Sequence, residues 1–260
     1  MSKIRQRPLT VEEEPFLTVR SLAQEFTSGY VIEPHTHPWH QFLYATSGAM
    51  TLLAGNSSWM VPPGKAVLIP ARCSHTIRMW GTVAMRSLYF VPTLESPVLE
   101  SRECRVVSVT PLLRELILRV VERTALDCRV AGDERLLAVL LDEMNAAPLL
   151  PLLLPMPTDE RALAVARHVL ASPAGEETVD TLSRKYGAAR RTLERLFQQE
   201  TGISLGLWRQ KARLLGSFRI LAEGRPVTEA ALESGYSSMS AFIAAFKQTF
   251  GFTPGKTAAE

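Results

Sequence analysis

The sequence predicts an α+β protein, in which an N-terminal β-barrel with a helical pair precedes an all-α domain containing two helix-turn-helix units. Three observations predict this fold class. Residues 16–91 form short apolar or alternating runs separated by Gly, Pro, Asn and Ser, as in barrels and sandwiches. From residue 111 the apolar residues are spaced three and four apart, which is typical of amphipathic helices. After residue 159 the chain shows helix and turn patterns and an internal repeat.

Length and composition limit the class of protein. A chain of 260 residues predicts two domains, and 46% apolar with 21% charged residues is ordinary for a globular protein. No run is long and apolar enough to span a bilayer, and the N-terminal MSKIRQRPLTVEEE lacks the apolar core of a signal peptide. Three widely spaced cysteines argue against a disulfide framework. We therefore expect a cytoplasmic protein with no membrane partner.

Two helices are predicted after the barrel, over residues 111–123 and 133–146, with Asp133 as the N-cap of the second. Their wide apolar stripes suit either a homodimer interface or a cover for the barrel. The segment PLLPLLLPMPT follows, and its four prolines predict a stiff connector. The predicted domains are therefore 1–147, a linker over 148–158, and 159–260.

The C-terminal region contains two copies of one unit. VDTLSRKYG (179–187) parallels VTEAALESG (227–235), and both copies end in a glycine that suits the reversal after a short helix. A second helix follows in each copy, and the matched positions are Leu193 with Phe242, Phe197 with Phe246, and Gly202 with Gly251. This arrangement predicts a tandem helix-turn-helix domain, with a connecting helix between the copies.

The segments GAARRTLERLFQQETGIS (187–204) and VTEAALESGYSSMSAFIAAFKQTFGFTPGK (227–256) resemble the paired helix-turn-helix domain of the AraC family of bacterial transcription regulators. The resemblance covers about 100 residues, and GYSS, SAFIAAFK and FGFTP are its most specific parts. It implies a DNA-binding domain that places two recognition helices in successive major grooves. One departure is Ala189, which stands where a capping Ser is usual.

The charged faces of the second helices support DNA binding. Residues 1–155 hold 15 Lys and Arg against 15 Asp and Glu, whereas residues 156–260 hold 14 against 11, so the whole excess of +3 lies in the second part. In the first copy, the side chains predicted to face DNA are Arg190, Arg191, Arg195 and Gln198, which suit guanine edges and phosphates. In the second copy they are Ser237, Ser238, Ser240 and Lys247, which suit backbone contact better than base discrimination.

Four of the five histidines, His35, His37, His40 and His75, lie within residues 35–75. Alternation along a strand places His35 and His37 on one face. His40 falls on the opposite strand face from Gln41 and is expected to be exposed. The spacing from Gly29 through His35, His37 and Gln41 to Gly48 resembles the first motif of the cupin superfamily, with Gln in place of Glu. Residues 70–75 resemble the second motif, with Arg72 where Gly is usual. The resemblance implies a cupin β-barrel, with His35, His37, Gln41 and His75 as metal ligands.

Two interpretations of these histidines stay open beside a structural role. Three imidazoles and one oxygen donor suit one divalent transition metal, namely Zn, Ni, Co, Cu or Fe. Alternatively, because the Gln amide is a weak ligand, the histidines serve as hydrogen-bonding groups of a metal-free pocket for an effector. Its aromatic lining is then predicted from sequence proximity to be Trp39, Phe42, Tyr44 and Trp80.

These observations predict a transcription regulator whose cupin domain senses a small molecule or metal ion and whose second domain binds double-stranded promoter DNA. A homodimer is expected, and RNA polymerase is a further partner if the protein activates transcription. The alternative is a cupin metalloenzyme of the dioxygenase or isomerase type fused to a DNA-binding domain. We expect no enzyme, because the sequence around the four ligand positions supplies no obvious catalytic acid or base. A structural DNA-organising protein would not need a histidine-lined barrel.

Overall fold

The computed structural model describes residues 16–175 and 177–257 and has a sheet-rich N-terminal domain followed by a helical one, as predicted. The strands are β1 (Leu17–Phe26), β2 (Val31–His35), β3 (His40–Ala54), β4 (Ser57–Val61), β5 (Lys65–Ile69), β6 (His75–Phe90), β7 (Arg105–Ser108), β8 (Ala125–Asp127) and β9 (Leu153–Pro155). All strand pairs are antiparallel, and the main order is β7-β5-β3-β6-β1-β8, with β2 on β6, β4 on β3 and β9 on β4.

The two long strands β3 and β6 organise the barrel, because each pairs with the other and with strands on both sides. Their shared register shifts on both sides of Ser47, which bends the pair. Gly48 lies at this bend with a φ of 68°, and a side chain there would overlap the backbone oxygen of Thr82 and the side chain of Val83. The bend therefore requires glycine for both its conformation and its close packing.

Two helices cover one outer face of the barrel. Helix α1 (Pro111–Arg123) has the predicted bounds and is capped by Thr110, whose hydroxyl accepts a hydrogen bond from the Leu113 N–H. Helix α2 (Ala131–Ala146) begins at Ala131, so the predicted N-cap role of Asp133 is wrong. Asp133 is instead buried, accepts a hydrogen bond from the Asp127 N–H and pairs with Arg123. Its carboxylate thereby ties the end of α1 to β8 and α2.

The predicted linker over 148–158 contains strand β9, which adds an edge strand to β4. Asn56 also donates to the Met156 carbonyl at 3.0 Å. Prolines are tolerated here because an edge strand leaves one side of its backbone without partners in the sheet. On the other side of the segment, the Trp208 indole donates to the Pro155 carbonyl at 2.6 Å. The connector is therefore attached to both domains.

The helical domain consists of α3 (Glu160–Ala171), α4 (Val179–Lys185), α5 (Arg190–Thr201), α6 (Leu205–Ala222), α7 (Val227–Glu233), α8 (Met239–Phe250) and a final 3-10 turn (Pro254–Thr257). The short helices α4 and α7 precede the turns at Gly187 and Gly235, whose φ angles are 63° and 76°. The predicted duplication and connecting helix are therefore confirmed. No helix in the described part of the chain has the length and apolar character needed to cross a membrane.

Candidate functional site

Three histidines meet near one end of the barrel. His35 on β2 and His75 on β6 are paired across the two strands, and their ring centroids lie 4.3 Å apart. His37 follows β2, with its ring centroid 5.2 Å from that of His75 and 5.9 Å from that of His35. One nitrogen of each ring lies within 4.8 Å of one nitrogen of the other two. The structure thus brings together three of the four predicted metal ligands as a compact imidazole cluster.

Each imidazole is oriented by the same kind of hydrogen bond. The Nδ1 atoms of His35, His37 and His75 lie 2.8–2.9 Å from backbone carbonyl oxygens, of Glu33, Trp39 and Cys73 respectively. Because a carbonyl oxygen only accepts, Nδ1 carries the proton in each neutral ring. All three Nε2 atoms then retain a lone pair. Such a backbone hydrogen bond, which fixes both ring orientation and tautomer, is the usual support of a metal-ligating histidine.

Gln41, the fourth predicted ligand, contacts the same cluster. Its side chain is only 2% exposed, its Oε1 lies 3.1 Å from His37 Nε2, and its amide nitrogen donates to Ser87 Oγ and the Tyr89 hydroxyl at 3.0 and 3.1 Å. With the His37 proton on Nδ1, both Oε1 and Nε2 present lone pairs to each other. Two acceptors at this distance repel each other unless a cation lies beside both, or the amide rotates by 180° to donate. In the first arrangement the amide oxygen is a further donor to a cation, and in the second it accepts from the Ser87 and Tyr89 hydroxyls.

The protonation states suit metal binding. Burial lowers the pKa of His75 to about 4 and also lowers the pKa of His37, so both rings are neutral near pH 7. His75 is 2% exposed, and its Nε2 has no hydrogen-bond partner among the described residues. A buried acceptor without a partner is costly, and a bound ion removes that cost.

His40 lies outside the cluster. The prediction that it is exposed is wrong, because the ring is half-buried and its Nδ1 accepts a hydrogen bond from the Ala71 N–H at 3.3 Å. This contact arises because the turn before β6 folds back over the start of β3, a packing that strand alternation alone does not reveal.

Sequence reasoning missed Ser87 and Tyr89, which hold the Gln41 amide. Gln41 is directly opposite Tyr89 in the β3–β6 register, and Ser87 lies two residues away on the same strand face. A sequence signal existed, since these polar residues alternate with the buried Leu88 and Phe90. Their partner could be identified only once the register of the two strands was known.

The predicted aromatic lining of an effector pocket is wrong, because the four residues occupy three different places. Phe42 and Tyr44 pack in the core beneath α1 and α2, whereas Trp39 packs with Tyr89 and Val91. Trp80 donates to Thr51 Oγ1 and packs toward the helical domain. The physical reason is strand alternation: Gln41 and Leu43 share one face of β3, so Phe42 and Tyr44 project from the other.

The first recognition helix, α5, presents its polar side to solvent. Its apolar side, Leu193, Leu196 and Phe197, is buried. The predicted DNA-facing residues of this copy are all exposed: Arg190, Arg191, Arg195 and Gln198. Arg190 is paired with Asp180 and Glu194, and Arg195 donates to Gln199, whereas Arg191 has no ion pair within the described residues. Arg191 is therefore the most available guanidinium of the set.

The second recognition helix, α8, and the turn before it present the predicted side chains to solvent. Ser237, Ser238, Ser240 and Lys247 are exposed, opposite the buried Phe242, Phe246 and Phe250. Ser238 caps the helix by accepting a hydrogen bond from the Ala241 N–H, and its O–H stays available as a donor. Contact of these residues with the DNA backbone stays a prediction.

The basic residues of the connecting helix have a structural role. Arg213 donates to the carbonyls of Pro173 and Gly175, and Arg209 donates to that of Glu177, all at 2.7–2.9 Å. These bonds fix the segment between α3 and α4 against α6. The sequence did not distinguish this role from phosphate binding.

Known protein families and proteins are similar to both parts of this chain. Residues 21–140 match the model of the AraC-like ligand binding domain, and residues 182–260 match that of a helix-turn-helix domain. The chain is 32% identical to the HTH-type transcriptional regulator NimR of Escherichia coli over 222 residues, which are 85% of this chain and 80% of NimR. RipA of Corynebacterium glutamicum is 30% identical over 38% of this chain and 30% of its own length. The crystal structure of ToxT from Vibrio cholerae aligns over 93% of this chain and 98% of ToxT, at 12% identity and a TM-score of 0.39.

These relatives are transcription regulators, and the matches give no support to the enzyme alternative. Both halves of the chain are covered, because NimR matches most of its length and the two domain models match its two parts separately. The chain therefore belongs to the AraC family of transcription regulators, with an N-terminal ligand-binding domain and a C-terminal helix-turn-helix domain that binds DNA.

Proposed function

We propose that this regulator binds one divalent transition-metal ion at His35, His37 and His75, with Gln41 as the fourth donor, and that the ion controls promoter binding. One observation carries the proposal: the three imidazoles each have Nδ1 bound to a backbone carbonyl, and one nitrogen of each ring lies within 4.8 Å of one nitrogen of the other two. The Nε2 of His75, which has no hydrogen-bond partner among the residues that the structure describes, supports it independently.

The donor set limits which ions fit. Imidazole nitrogen suits Zn, Ni, Co, Cu and Fe(II), whereas Mg and Ca prefer carboxylate and carbonyl oxygen. A tetrahedral Zn site with Zn–N bonds of about 2.0–2.1 Å requires donor atoms about 3.3 Å apart. The rings therefore need only a modest approach from their separations of up to 4.8 Å. All four donors are neutral, so the ion keeps its double positive charge and favours an anion or water as a further ligand.

The test uses the full-length protein purified without a His tag. Metal affinity is measured by chelator competition with Zn, Ni, Co, Cu and Fe(II), and promoter binding is measured by anisotropy on its own upstream DNA, with and without metal. We expect one ion per chain and a metal-dependent change in DNA affinity. His75→Ala should lose both effects, whereas His40→Ala is the matched control and should retain them. If the metal-free and the fully metal-loaded protein bind the promoter with equal affinity, the ion does not control promoter binding.

A homodimer is part of the proposal. The inner faces of α1 and α2 cover the barrel through Leu113, Ile117 and Leu140, but Leu112 and Val139 on their outer faces are 52% and 45% exposed. These two side chains suit contact with the same helices of a second copy. Light scattering of Leu112→Glu and Val139→Glu tests this: a dimer should dissociate to monomers, and an unchanged mass would exclude these helices as the interface. If promoter binding activates transcription, RNA polymerase is a further partner. In vitro transcription with and without the metal tests this.

A further inference from the structure

A second candidate site lies outside the histidine cluster, in a groove with a volume of about 550 Å³. Its walls are the start of β3, the turn at residues 70–73 and the loop at residues 92–102. This volume is in the range of small-molecule sites. Leu94 and Leu99 supply apolar surface, while Arg72, Arg102, Glu95 and Glu100 supply charge.

The backbone of Arg72 is unusual. Its φ is 61°, and within the described residues Thr124 is the only other non-glycine residue with a positive φ. Glycine adopts this conformation without a steric penalty, whereas arginine is strained in it. The Arg72 N–H donates to the His37 carbonyl at 2.8 Å, which holds the turn in place, and its exposed side chain lines the groove. The turn therefore places a cation in the groove at a cost in backbone strain.

The groove carries equal numbers of positive and negative side chains. It is lined by two guanidinium groups, of Arg72 and Arg102, and by two carboxylates, of Glu95 and Glu100. Within the described residues none of these four side chains takes part in an ion pair. A simple anion would approach the two carboxylates, and a simple cation would approach the two guanidinium groups. A molecule that carries both charges satisfies both pairs.

His40 adds a neutral donor. Because its Nδ1 accepts a hydrogen bond from the Ala71 N–H, the proton of the neutral ring is on Nε2. The ring is half-buried and lines the groove, so it offers an N–H to a carboxylate there.

We infer that this groove binds a small zwitterion of the amino-acid class, with its carboxylate toward Arg72, Arg102 and His40 and its ammonium group toward Glu95 and Glu100. This inference rests on the proposed sensing role of the N-terminal domain and names a second effector for it. The partly buried Leu94 offers apolar surface that suits an aliphatic side chain on the ligand.

The groove and the histidine cluster share backbone. Two of the proposed metal ligands hold residues 72 and 73: the Arg72 N–H donates to the His37 carbonyl, and the Cys73 carbonyl accepts from His75 Nδ1. A ligand that moves this turn therefore changes the support of the metal site, which couples the two effectors.

The experiment uses the full-length protein in metal-free and zinc-loaded forms. Thermal shift and calorimetry are carried out with each of the twenty L-amino acids as probes. We expect at least one to bind, with its N-acetyl derivative and its decarboxylated amine binding roughly tenfold or more weakly, because each lacks one charge-assisted contact. If no amino acid binds either form, or if one of the two derivatives binds as tightly as the parent, the inference is overturned.

Arg72→Gly is the sharpest variant, because glycine relieves the backbone strain while removing the cation. Its melting temperature without ligand should rise, and amino-acid affinity should fall roughly tenfold or more. Arg114→Ala, on the exposed side of α1, is the control and should change neither. Unchanged affinity in Arg72→Gly would overturn the inference. Metal and DNA binding are measured on the same samples, so failure of the groove is distinguished from failure of the proposed metal control.

Discussion

The guanidinium group of Arg219 lies 4.4 Å from the centroid of the Trp80 ring, across the boundary between the barrel and the helical domain. Trp80 is on β6, and Arg219 is on α6, the helix that joins the two helix-turn-helix units. Next to this pair, a side chain at Gly81 would overlap the carbonyl oxygen of Ala222 at the end of α6. The barrel therefore contacts the element that sets the separation of the recognition helices.

Trp80→Ala should weaken this contact. Burial, and secondarily the nearby Arg78, lower the pKa of Arg219. Its Nε has no hydrogen-bond partner within the described residues. The face of the Trp80 ring therefore offsets part of the cost of burying this cation. Because the variant also loses the indole hydrogen bond to Thr51 and part of the packing, we expect a loss of about 2–4 kcal/mol in the free energy of unfolding. Urea unfolding of the full-length protein measures it, and cleavage by thermolysin at the leucines of residues 148–158 should become faster.

Arg78→Ala is the matched control, because Arg78 lies 5.5 Å from the same ring but is exposed and repels Arg219. It should leave stability unchanged or raise it slightly. Equal losses in the two variants would show that the stacking of Arg219 on Trp80 contributes nothing specific.

The recognition helices should differ in what they read. Arg191→Ala or Arg195→Ala on α5 should cost about 1–3 kcal/mol on the cognate promoter and relax base preference, as the loss of a bidentate base contact does. Lys247→Ala on α8 should weaken binding to all sequences more evenly, because a phosphate contact carries no sequence information. Binding to cognate and scrambled DNA over a range of salt concentrations measures both effects.

Arg190→Ala is the control for α5, since Arg190 is already paired with Asp180 and Glu194. Its effect should be smaller than that of Arg191→Ala. If all four variants lose affinity equally on both DNAs, α5 does not read bases.

Ala189→Ser should stabilise the first helix-turn-helix unit. Ala189 is the N-cap of α5 and provides no side-chain hydrogen bond, whereas Ser204 and Ser238 cap α6 and α8. The residue is exposed and its backbone is already extended, so serine can accept from a first-turn N–H without repacking. We expect a gain of about 1 kcal/mol in unfolding free energy. Thr178→Ala, which removes the cap of α4, should give a loss of similar size; no change in either variant would contradict the capping argument.

How much could be predicted from the sequence depended on how local each feature is. His35 and His37 are two residues apart, and the glycines of the duplicated unit mark its turns, so both were recognisable as patterns. Strands β8 and β9 have three residues each, too few to show alternation. The contacts of Gln41 with Tyr89 and of Trp80 with Arg219 join residues that are distant in the chain, and only strand register and domain packing bring them together.

The metal site is tested most directly by Gln41→Glu. A carboxylate at this position adds a negative charge beside His37, and its second oxygen can accept from the Ser87 and Tyr89 hydroxyls that now contact the amide. Metal affinity measured by chelator competition should therefore rise, since a carboxylate is a stronger ligand than a neutral amide. Without metal the same variant should unfold at lower urea concentration than the wild type, because it carries a buried charge without a cation.

The opposite signs of these two effects make the test specific. If the site holds a small molecule and no metal, Gln41→Glu should lower the stability of the protein. Its affinity for Zn, Ni, Co, Cu or Fe(II) should then not exceed that of the wild type. His35→Ala and His75→Ala should each abolish the gain in metal affinity in the Gln41→Glu background. Two imidazoles with one carboxylate bind a divalent ion less tightly than three imidazoles with one carboxylate do. His40→Ala in that background should keep the gain, because His40 bonds to the Ala71 N–H and lies outside the cluster. Metal affinity that is unchanged by His35→Ala and His75→Ala would exclude the imidazole cluster as the binding site.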